Sequence, residues 1–193
     1  MEPQIFKQTE RLDNENMIRT FIAVELPEKF RPEIGKIGSI LKSPGIKLVE
    51  PEIVHITMKF LGDIPEDKVE SIASALSQVN CKPFEARIKG VGVFPKPAYI
   101  KVIWLGAEGD FDNLHKEIER VLAPFRFERD RQFTPHATLA RVKLMGEKAA
   151  LLEKINKLAD IDLGSMSVSS ISLKKSTLTP DGPVYQTLKE IKL

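Results

Sequence analysis

The chain has 193 residues, a mass of 21.7 kDa, 42% hydrophobic and 29% charged residues, which is the composition of an ordinary soluble globular protein. Its net charge of +2 and pI near 8.6 permit a nucleic acid or phosphate ligand, but they lack the basic excess typical of proteins that bind duplex DNA. The single cysteine, Cys81, excludes an intrachain disulfide framework and favours a reducing cytoplasm, and no apolar run approaches the roughly 20 residues of a membrane helix.

The chain divides into a short polar start and one long remainder. Residues 1–16 are rich in charged side chains and lack the apolar core of a secretion signal, so we interpret them as an N-terminal extension. No low-complexity or linker-like segment divides residues 17–193, which we interpret as a single domain. We expect a cytoplasmic monomer that does not associate with a membrane.

In chain order, the first half alternates between strand and helix patterns. Residues 19–26 are β-branched and alternate, which predicts a strand ended by Pro27. Apolar residues at helical spacing then predict a helix, which a Ser-Pro-Gly sequence ends. The predicted elements of this half are a helix over 28–42, strands over 46–49 and 54–61, and a helix over 66–79.

The second half contains more strands than helices. The predicted elements are strands over 84–93 and 99–105, a helix over 111–122, a strand over 136–142, a helix over 147–158, and strands over 168–173 and 184–191. There are too few helices and too many hairpins for a doubly wound parallel sheet. The pattern therefore predicts an α+β fold with largely antiparallel sheets.

Two of the three histidines of the chain lie in the same four-residue pattern. His55 begins His-Ile-Thr-Met and His136 begins His-Ala-Thr-Leu, each within an apolar, β-prone run. On a strand, a spacing of two residues turns each histidine and its threonine, Thr57 or Thr138, to the same face. The repetition predicts a duplicated half and a single ligand site formed by both copies.

These residue types suit acid/base cleavage of a phosphodiester. One imidazole can take a proton from the attacking group while the other protonates the departing oxygen, a division typically worth about 10²–10⁴-fold per group. The hydroxyls of Thr57 and Thr138 can donate hydrogen bonds to the non-bridging oxygens as charge develops on them.

Three further residues are candidates for ligand contact. Lys59 is two residues beyond Thr57 and is therefore expected on the ligand face as a cation for the phosphate, or else as a solvated charge. On a regular strand, Arg141 would lie on the opposite face from His136, so it reaches the ligand only over an edge or at the strand end. Phe60 is likewise expected on the face opposite its histidine, five residues after His55. It could stack on a base at a twisted strand end, or belong to the core.

The third histidine and a metal site are the remaining alternatives. His115 lies in a charged helical segment, and we interpret it as a solvated surface residue. A metal is a weaker hypothesis than acid/base catalysis, because no cysteine or histidine cluster has zinc-type spacing and Asp63 is the only carboxylate close behind the first motif.

With these residues identified, the chain resembles the two-histidine phosphoesterase superfamily, and most closely its RNA 2′,3′-cyclic phosphodiesterases, also described as 2′-5′ RNA ligases. The likeness runs from about Ile18 to Leu193. It includes Arg-Thr-Phe-Ile-Ala-Val at 19–24, both histidine motifs with their flanks at 55–62 and 135–141, Leu-Lys-Lys-Ser at 173–176 and Gly-Pro-Val-Tyr at 182–185. Met58 stands where leucine is commoner in the family, a near-isosteric change.

The resemblance implies a bilobal, duplicated fold in which two sheets face a central cleft with the helices outside. It also implies metal-independent hydrolysis of RNA 2′,3′-cyclic phosphate ends to 2′-phosphomonoesters, without a cofactor. His55 would be the proton donor to the leaving oxygen and His136 the proton acceptor that activates water. The phosphate would be held by Thr57, Thr138 and Arg141, and Phe60 would stack on the terminal base.

Several alternatives stay open at this point. The same site run in reverse would join a cyclic phosphate end to a 5′-hydroxyl as a 2′-5′ linkage. A module that binds an RNA terminus without turnover is a second function, and a phosphodiesterase acting on a small cyclic nucleotide is a third. The assignment of acid and base depends on the orientation of the substrate.

Overall fold

The computed structural model describes residues 16–130, 132–180 and 182–193. Nine strands are β1 (Met17–Glu25), β2 (Ile46–Leu48), β3 (His55–Pro65), β4 (Phe84–Lys96), β5 (Tyr99–Glu108), β6 (His136–Val142), β7 (Asp162–Val168), β8 (Ser170–Leu178) and β9 (Pro183–Lys192) in these ranges. The helices there are α1 (Arg31–Leu41), α2 (Val69–Leu76), α3 (Phe111–Leu122) and α4 (Lys148–Lys157). Single 3₁₀ turns span Glu28–Phe30, Pro51–Ile53, Glu66–Lys68 and Ala123–Phe125.

The strands pair antiparallel in one sheet, in the order β7-β4-β5-β6-β3-β1-β8-β9, with β2 beside β6. The α+β class is confirmed, whereas the prediction of two sheets is not. Pairing continues from one half of the sheet to the other through a single register pair, Ile56 with Ala137. The two halves therefore meet at a narrow seam between the strands that carry the two histidine motifs.

The helices cover the apolar face of the sheet, where α1 packs against α4 and α2 packs against α3. Each has a buried stripe at helical spacing, such as Ile34, Ile37 and Leu41 in α1. The stripes lie against strand residues that are fully buried, including Ile22 and Ile103. The opposite face of the central strands carries the motif histidines and threonines, which are only part-buried.

Several predicted elements differ in their bounds from those observed, and two of these differences bear on the sheet. The strand that holds His55 continues to Pro65, beyond the predicted end at residue 61, because its last residues pair with the start of β1. The predicted strand over 168–173 proves to be parts of β7 and β8, which meet at Ser169. Strand β7 was missed because Asp162 and Gly164 give it little β propensity, and its pairing with β4 stabilises it instead.

The proposed N-terminal extension falls almost entirely outside the described residues. Within them, Asn16 accepts a backbone hydrogen bond from Glu66, next to the first residue of β1. No helix in the described ranges is long and apolar enough to span a lipid bilayer.

Candidate active site

The two histidine motifs occupy neighbouring antiparallel strands, β3 and β6. Because Ile56 pairs with Ala137 and both side chains are buried, the flanking residues of each strand project from the opposite face. Antiparallel pairing at this point sets His55 beside Thr138 and His136 beside Thr57. The two histidines are then diagonal neighbours, for which separations of roughly 7–8 Å are usual. One phosphate fits between side chains at that spacing.

Both imidazoles are oriented in the same way by the backbone. The Nδ1–H of His55 donates to the carbonyl oxygen of Ile53 at 2.8 Å, and the Nδ1–H of His136 donates to the carbonyl oxygen of Thr134 at 2.7 Å. In each case the acceptor is two residues upstream of the histidine. A carbonyl can only accept, so each neutral ring carries its proton on Nδ1 and leaves Nε2 to exchange a proton with a ligand.

The two motif strands also share a β-bulge at the same position. Thr57 and Lys59 pair with consecutive residues of β1, so Met58 is the extra residue in β3. Thr138 and Ala140 pair with consecutive residues of β5, so Leu139 is the extra residue in β6. A bulge shifts the alternation of every later side chain by one position.

The bulges decide which residues face the site. Five positions after its histidine, each strand turns a large side chain to the histidine face, Phe60 in β3 and Arg141 in β6. Phe60 is 62% exposed, and its ring centroid is 6.2 Å from that of Phe21, which stacks on His55. The parity that the sequence interpretation assigned to Phe60 and Arg141 was wrong for this reason.

The same shift removes Lys59 from the ligand face, where the sequence interpretation expected it. Lys59 is 2% exposed, and its Nζ lies 2.5 Å from Glu119 Oε1 and 2.6 Å from the carbonyl oxygen of Glu128. It is therefore neither a cation beside the histidines nor a solvated charge. At the equivalent position in β6, Ala140 is fully buried too.

His55 lies between aromatic and charged neighbours. It stacks on Phe21, with ring centroids 4.9 Å apart, and meets the edge of Tyr185 at 5.2 Å. On β1, Glu25 is directly opposite His55 in the register and forms an ion pair with Lys174 of β8, whose side chain is nearly buried.

The pKa of His55 responds to each of these neighbours. Burial lowers this pKa below the usual value for histidine and is the largest cause. The hydrogen bond to Ile53 and the charge of Glu25 act in the opposite direction, whereas Lys174 and His136 lower it further. The electrostatic effect of His136 on His55 is consistent with their closeness across the seam.

His136 lies among apolar aromatic rings. Its ring meets the edge of Phe94 with a centroid separation of 4.9 Å, and Trp104 is 6.2 Å away. The residue opposite His136 in the register is Gly106 of β5. In the other half, the residue opposite His55 is Glu25 of β1, so only His55 has a charged register partner. Burial lowers the pKa of His136, the Thr134 hydrogen bond opposes this, and the charge of Arg141 lowers the pKa further.

His115 was wrongly interpreted as a solvated surface residue. It is 9% exposed, its ring stacks on Phe133 with centroids 4.1 Å apart, and its Nε2 is 3.0 Å from Asp130 Oδ2. These partners are remote in the sequence or lie in a segment without regular structure, so no helical periodicity could reveal them.

Among the described residues, His115, Glu119 and Asp130 are a group that could hold a metal, since their ligand atoms lie within 4.8 Å of one another. The ammonium of Lys59 lies among these atoms, 2.5 Å from Glu119 and 3.8 Å from Asp130. The carboxylates therefore already have a cation as partner, and this set suits an ion-pair network better than a metal.

Sequence reasoning missed Phe21, Glu25, Lys174 and Tyr185 as neighbours of His55. Tyr185 is part-buried, and burial raises its pKa while Arg141 and Arg19 lower it, so two guanidinium groups lie within electrostatic range of its hydroxyl. Its presence in the Gly-Pro-Val-Tyr sequence was the available signal. Phe21 and Lys174 had the same kind of signal in residues 19–24 and 173–176, whereas Glu25 required the pairing of β1 with β3.

Two anchored imidazoles and two hydroxyls on one sheet face define an acid/base site suited to a phosphate ester. Comparison with known proteins agrees with that class. The sequence model of the family described as LigT-like phosphoesterase matches residues 24–104 and 106–185, so each matched segment holds one histidine motif. The chain belongs to the LigT-like phosphoesterase family.

Curated relatives and solved structures match over most of their length. Proteins named RNA 2′,3′-cyclic phosphodiesterase from Methanocaldococcus jannaschii and Methanothermobacter thermautotrophicus are each 40% identical, over 90% and 91% of this chain and 99% of either relative. A Thermus thermophilus protein of known crystal structure has a TM-score of 0.78 and 29% identity, over 91% of this chain and 98% of its own. Escherichia coli LigT complexed with 3′-AMP shares the fold, with a TM-score of 0.74 and 20% identity over 92% and 98% of the two chains.

Proposed function

We propose that the protein hydrolyses RNA 2′,3′-cyclic phosphate ends to 2′-phosphomonoesters by paired-histidine acid/base catalysis. The observation that carries this proposal is that the His55 and His136 rings are fixed in the same tautomer on one face of adjacent strands. Relatives at 40% identity, of which the chain covers almost the whole length, carry the name of this activity.

In the proposed reaction, Nε2 of His136 accepts a proton from a water molecule that attacks the phosphorus. The bond between phosphorus and the 3′ oxygen breaks, and Nε2 of His55 donates its proton to that oxygen. The product is a 2′-phosphomonoester with a free 3′-hydroxyl. The Thr57 and Thr138 hydroxyls donate to the non-bridging oxygens, Arg141 binds the phosphate, and Phe60 stacks on the terminal base.

The assignment of His55 as the acid draws support from its charged neighbours. A general acid must hold its proton before the reaction, and a carboxylate favours the charged form of an imidazole. Burial lowers the pKa of His55 overall, and Lys174 adds to that, but Glu25 opposes both, and no described carboxylate acts in this way on His136. Arg141 favours a neutral His136, as a general base requires.

An assay with a defined RNA end tests this function. Purified protein with EDTA is incubated with an oligonucleotide that ends in a 2′,3′-cyclic phosphate, and the position of the terminal phosphate in the product is determined. We expect a 2′-phosphate, and His55→Ala and His136→Ala should each abolish most of the turnover. Persistence of the cyclic end with wild-type protein, or full activity in either variant, would contradict the proposal.

The exposed ring of Phe60 offers a stacking surface for the base next to the cyclic phosphate, which RNA ends and mononucleoside 2′,3′-cyclic phosphates both carry. Comparing rates on oligonucleotides and on mononucleoside 2′,3′-cyclic phosphates separates the two substrate classes. An RNA-terminus binding module would instead bind tightly without product, and its binding would survive both histidine substitutions. Reversal to 2′-5′ ligation is tested with a 5′-hydroxyl oligonucleotide as the second substrate.

We further propose that the two halves of the sheet act as two lobes facing a central cleft, within one domain over residues 17–193. The single register pair that joins the halves supports this interpretation. A monomer, a cytoplasmic location, the absence of membrane association and the absence of a cofactor stay predictions from the sequence.

A further inference from the structure

A network of charged groups around a buried lysine lies outside the candidate site and has no part in the proposed reaction. Its centre is Lys59, which follows the bulge of the first motif strand and is 2% exposed. Its Nζ donates to Glu119 Oε1 of α3 at 2.5 Å and to the carbonyl oxygen of Glu128 at 2.6 Å, and it lies 3.8 Å from Asp130 Oδ2. Lys59 therefore links β3 to helix α3 and to the segment after it.

His115 of α3 binds the same segment at two further points. Its Nε2–H donates to Asp130 Oδ2 at 3.0 Å. Its ring stacks on Phe133, with centroids 4.1 Å apart and an angle of 9° between the planes. Together with Lys59, it holds the segment on both sides of residue 131.

This segment contains the backbone carbonyl that orients His136. Its described residues, 127–130 and 132–135, form neither helix nor strand. A backbone bond from the N–H of Ala107 to the carbonyl oxygen of Pro135 at 3.3 Å holds its end beside β6, and side-chain contacts hold the residues further upstream. Thr134 is the next residue after Phe133, and its carbonyl oxygen accepts the hydrogen bond from Nδ1 of His136 at 2.7 Å. A movement of the segment would displace that carbonyl.

The equivalent carbonyl in the other half is held differently. Ile53, which accepts from His55, belongs to the 3₁₀ turn Pro51–Ile53, and its N–H donates to the carbonyl oxygen of Glu50 at 3.0 Å. Backbone geometry next to the strand therefore fixes His55. The carbonyl of Thr134 lies between the backbone bond at Pro135 and side-chain contacts of Phe133 and Asp130, which lead to His115 and to Lys59 of the opposite motif.

We propose that Lys59 and His115 are positioning residues that hold residues 128–130 and 132–134 in place and thereby fix the tautomer and orientation of His136. The coupling runs from the first motif to His136 and not in the reverse direction. The reason is that Ala140, which has no charge, occupies in the second motif the position of Lys59. The effect of this coupling on catalysis rests on the function proposed above. Its effect on the His136 ring is independent of any substrate.

The test uses the full chain with ¹⁵N-labelled histidine, whose three rings give few signals. Long-range ¹H–¹⁵N correlation spectra at a pH above both pKa values report which nitrogen of each neutral ring carries the proton. Lys59→Met leaves Glu119 without its cation and could prevent folding. We therefore use His115→Phe, which keeps a ring against Phe133, and Asp130→Ala, whose side chain is 35% exposed in the native chain.

In both variants we expect His136 to change from the Nδ1–H form to a mixture of tautomers, while His55 keeps its wild-type signals as an internal control. In parallel, kcat for cyclic phosphate hydrolysis should fall by roughly 10–100-fold with little change in KM, as for other residues that orient a catalytic group. The matched control is Arg120→Met, which removes an ion pair with Glu117 from the same helix outside the network.

Unchanged His136 signals in both variants, or changes equal to those in Arg120→Met, would overturn the proposal. A tautomer change at His55 of the same size as at His136 would overturn it as well, since that result means general loosening. If the His136 signals change but wild-type protein hydrolyses no cyclic phosphate, the positioning holds and the proposed function fails.

Discussion

The halves around His55 and His136 share one backbone design but differ in what surrounds the ring. Each strand has a histidine, a threonine two residues later, a bulge after the threonine, and an upstream carbonyl that binds Nδ1. Each ring contacts a phenylalanine, but the ring of His55 also lies beside an ion pair and a tyrosine, whereas the ring of His136 lies near a tryptophan. The shared parts position both imidazoles, and the neighbours that differ affect the pKa values of the two rings in different ways.

The largest expected effect separates the acid from the base. With an ordinary cyclic phosphate, His55→Ala and His136→Ala should each lower kcat by about 10²–10⁴-fold. With sulfur in place of the 3′ oxygen, the departing thiolate needs no proton, so His55→Ala should recover most of its activity and His136→Ala should not. Initial rates on the two substrates measure this difference. Recovery in His136→Ala alone would reverse the two roles.

The threonines test whether both halves hold the same phosphate. Thr57→Val and Thr138→Val keep the shape of the side chain and remove the hydroxyl donor, so each should lower kcat by roughly 10²-fold. A site used equally by both motifs predicts similar losses. Thr177→Val, at an exposed position of β8, is the control and should leave kcat unchanged. A loss confined to one motif would mean that only one half contacts the reacting phosphate.

The two residues that the bulges turn to the site should differ in what they bind. Arg141→Met removes a guanidinium from the phosphate and should raise KM about tenfold for every substrate. Phe60→Ala removes a stacking surface worth about 1–3 kcal/mol, so it should raise KM for RNA ends and leave KM for a cyclic phosphate without a base unchanged. Arg87→Met, which breaks an exposed ion pair with Asp162, is the charge control. Equal effects of Phe60→Ala on both substrates would remove it from base recognition.

The smallest expected effect concerns the ion pair beside His55. Glu25 raises the pKa of His55 and Lys174 lowers it, so Glu25→Gln should lower this pKa and Lys174→Met should raise it. If His55 is the acid, its proton is lost as pH rises through its pKa. The alkaline limb of kcat/KM should therefore move to lower pH in Glu25→Gln and to higher pH in Lys174→Met.

Lys189→Met, which removes a lysine paired with Glu70, should leave both limbs of this profile in place. Shifts of the acidic limb instead of the alkaline limb would assign the base to His55. Shifts of the same sign in the Glu25 and Lys174 variants would exclude a direct electrostatic effect of the pair.

The sequence predicted most of the architecture around the site, because local patterns determine those elements. Helix α3 and strand β6 have the predicted bounds, and the two His-x-Thr spacings alone indicated which side chains share a face. The bulges could not be predicted in this way. An extra residue such as Met58 has no local signature, and it reverses the inferred facing of Lys59 and Phe60.

Contacts between remote segments account for the other errors. His115 is buried because Asp130 and Phe133 close over it, and neither residue contributes to the periodicity of α3. The division into two sheets failed for a similar reason. Among the residues that the structure describes, only the pairing of Ile56 with Ala137 continues the sheet across its middle, and a pattern within either strand does not reveal such a pair.

The paired bulges have a consequence for how chain length can vary in such proteins. Loss of the bulge between Thr57 and Phe60 at constant chain length would put an ammonium in place of the aromatic ring at the ligand and leave Glu119 facing a phenyl group. Loss of the bulge between Thr138 and Arg141 at constant length would turn the guanidinium into the hydrophobic layer. Deletion of the extra residue together with its bulge would restore regular alternation and keep both facings, so functional homologues should either retain each bulge or lack one residue at that place.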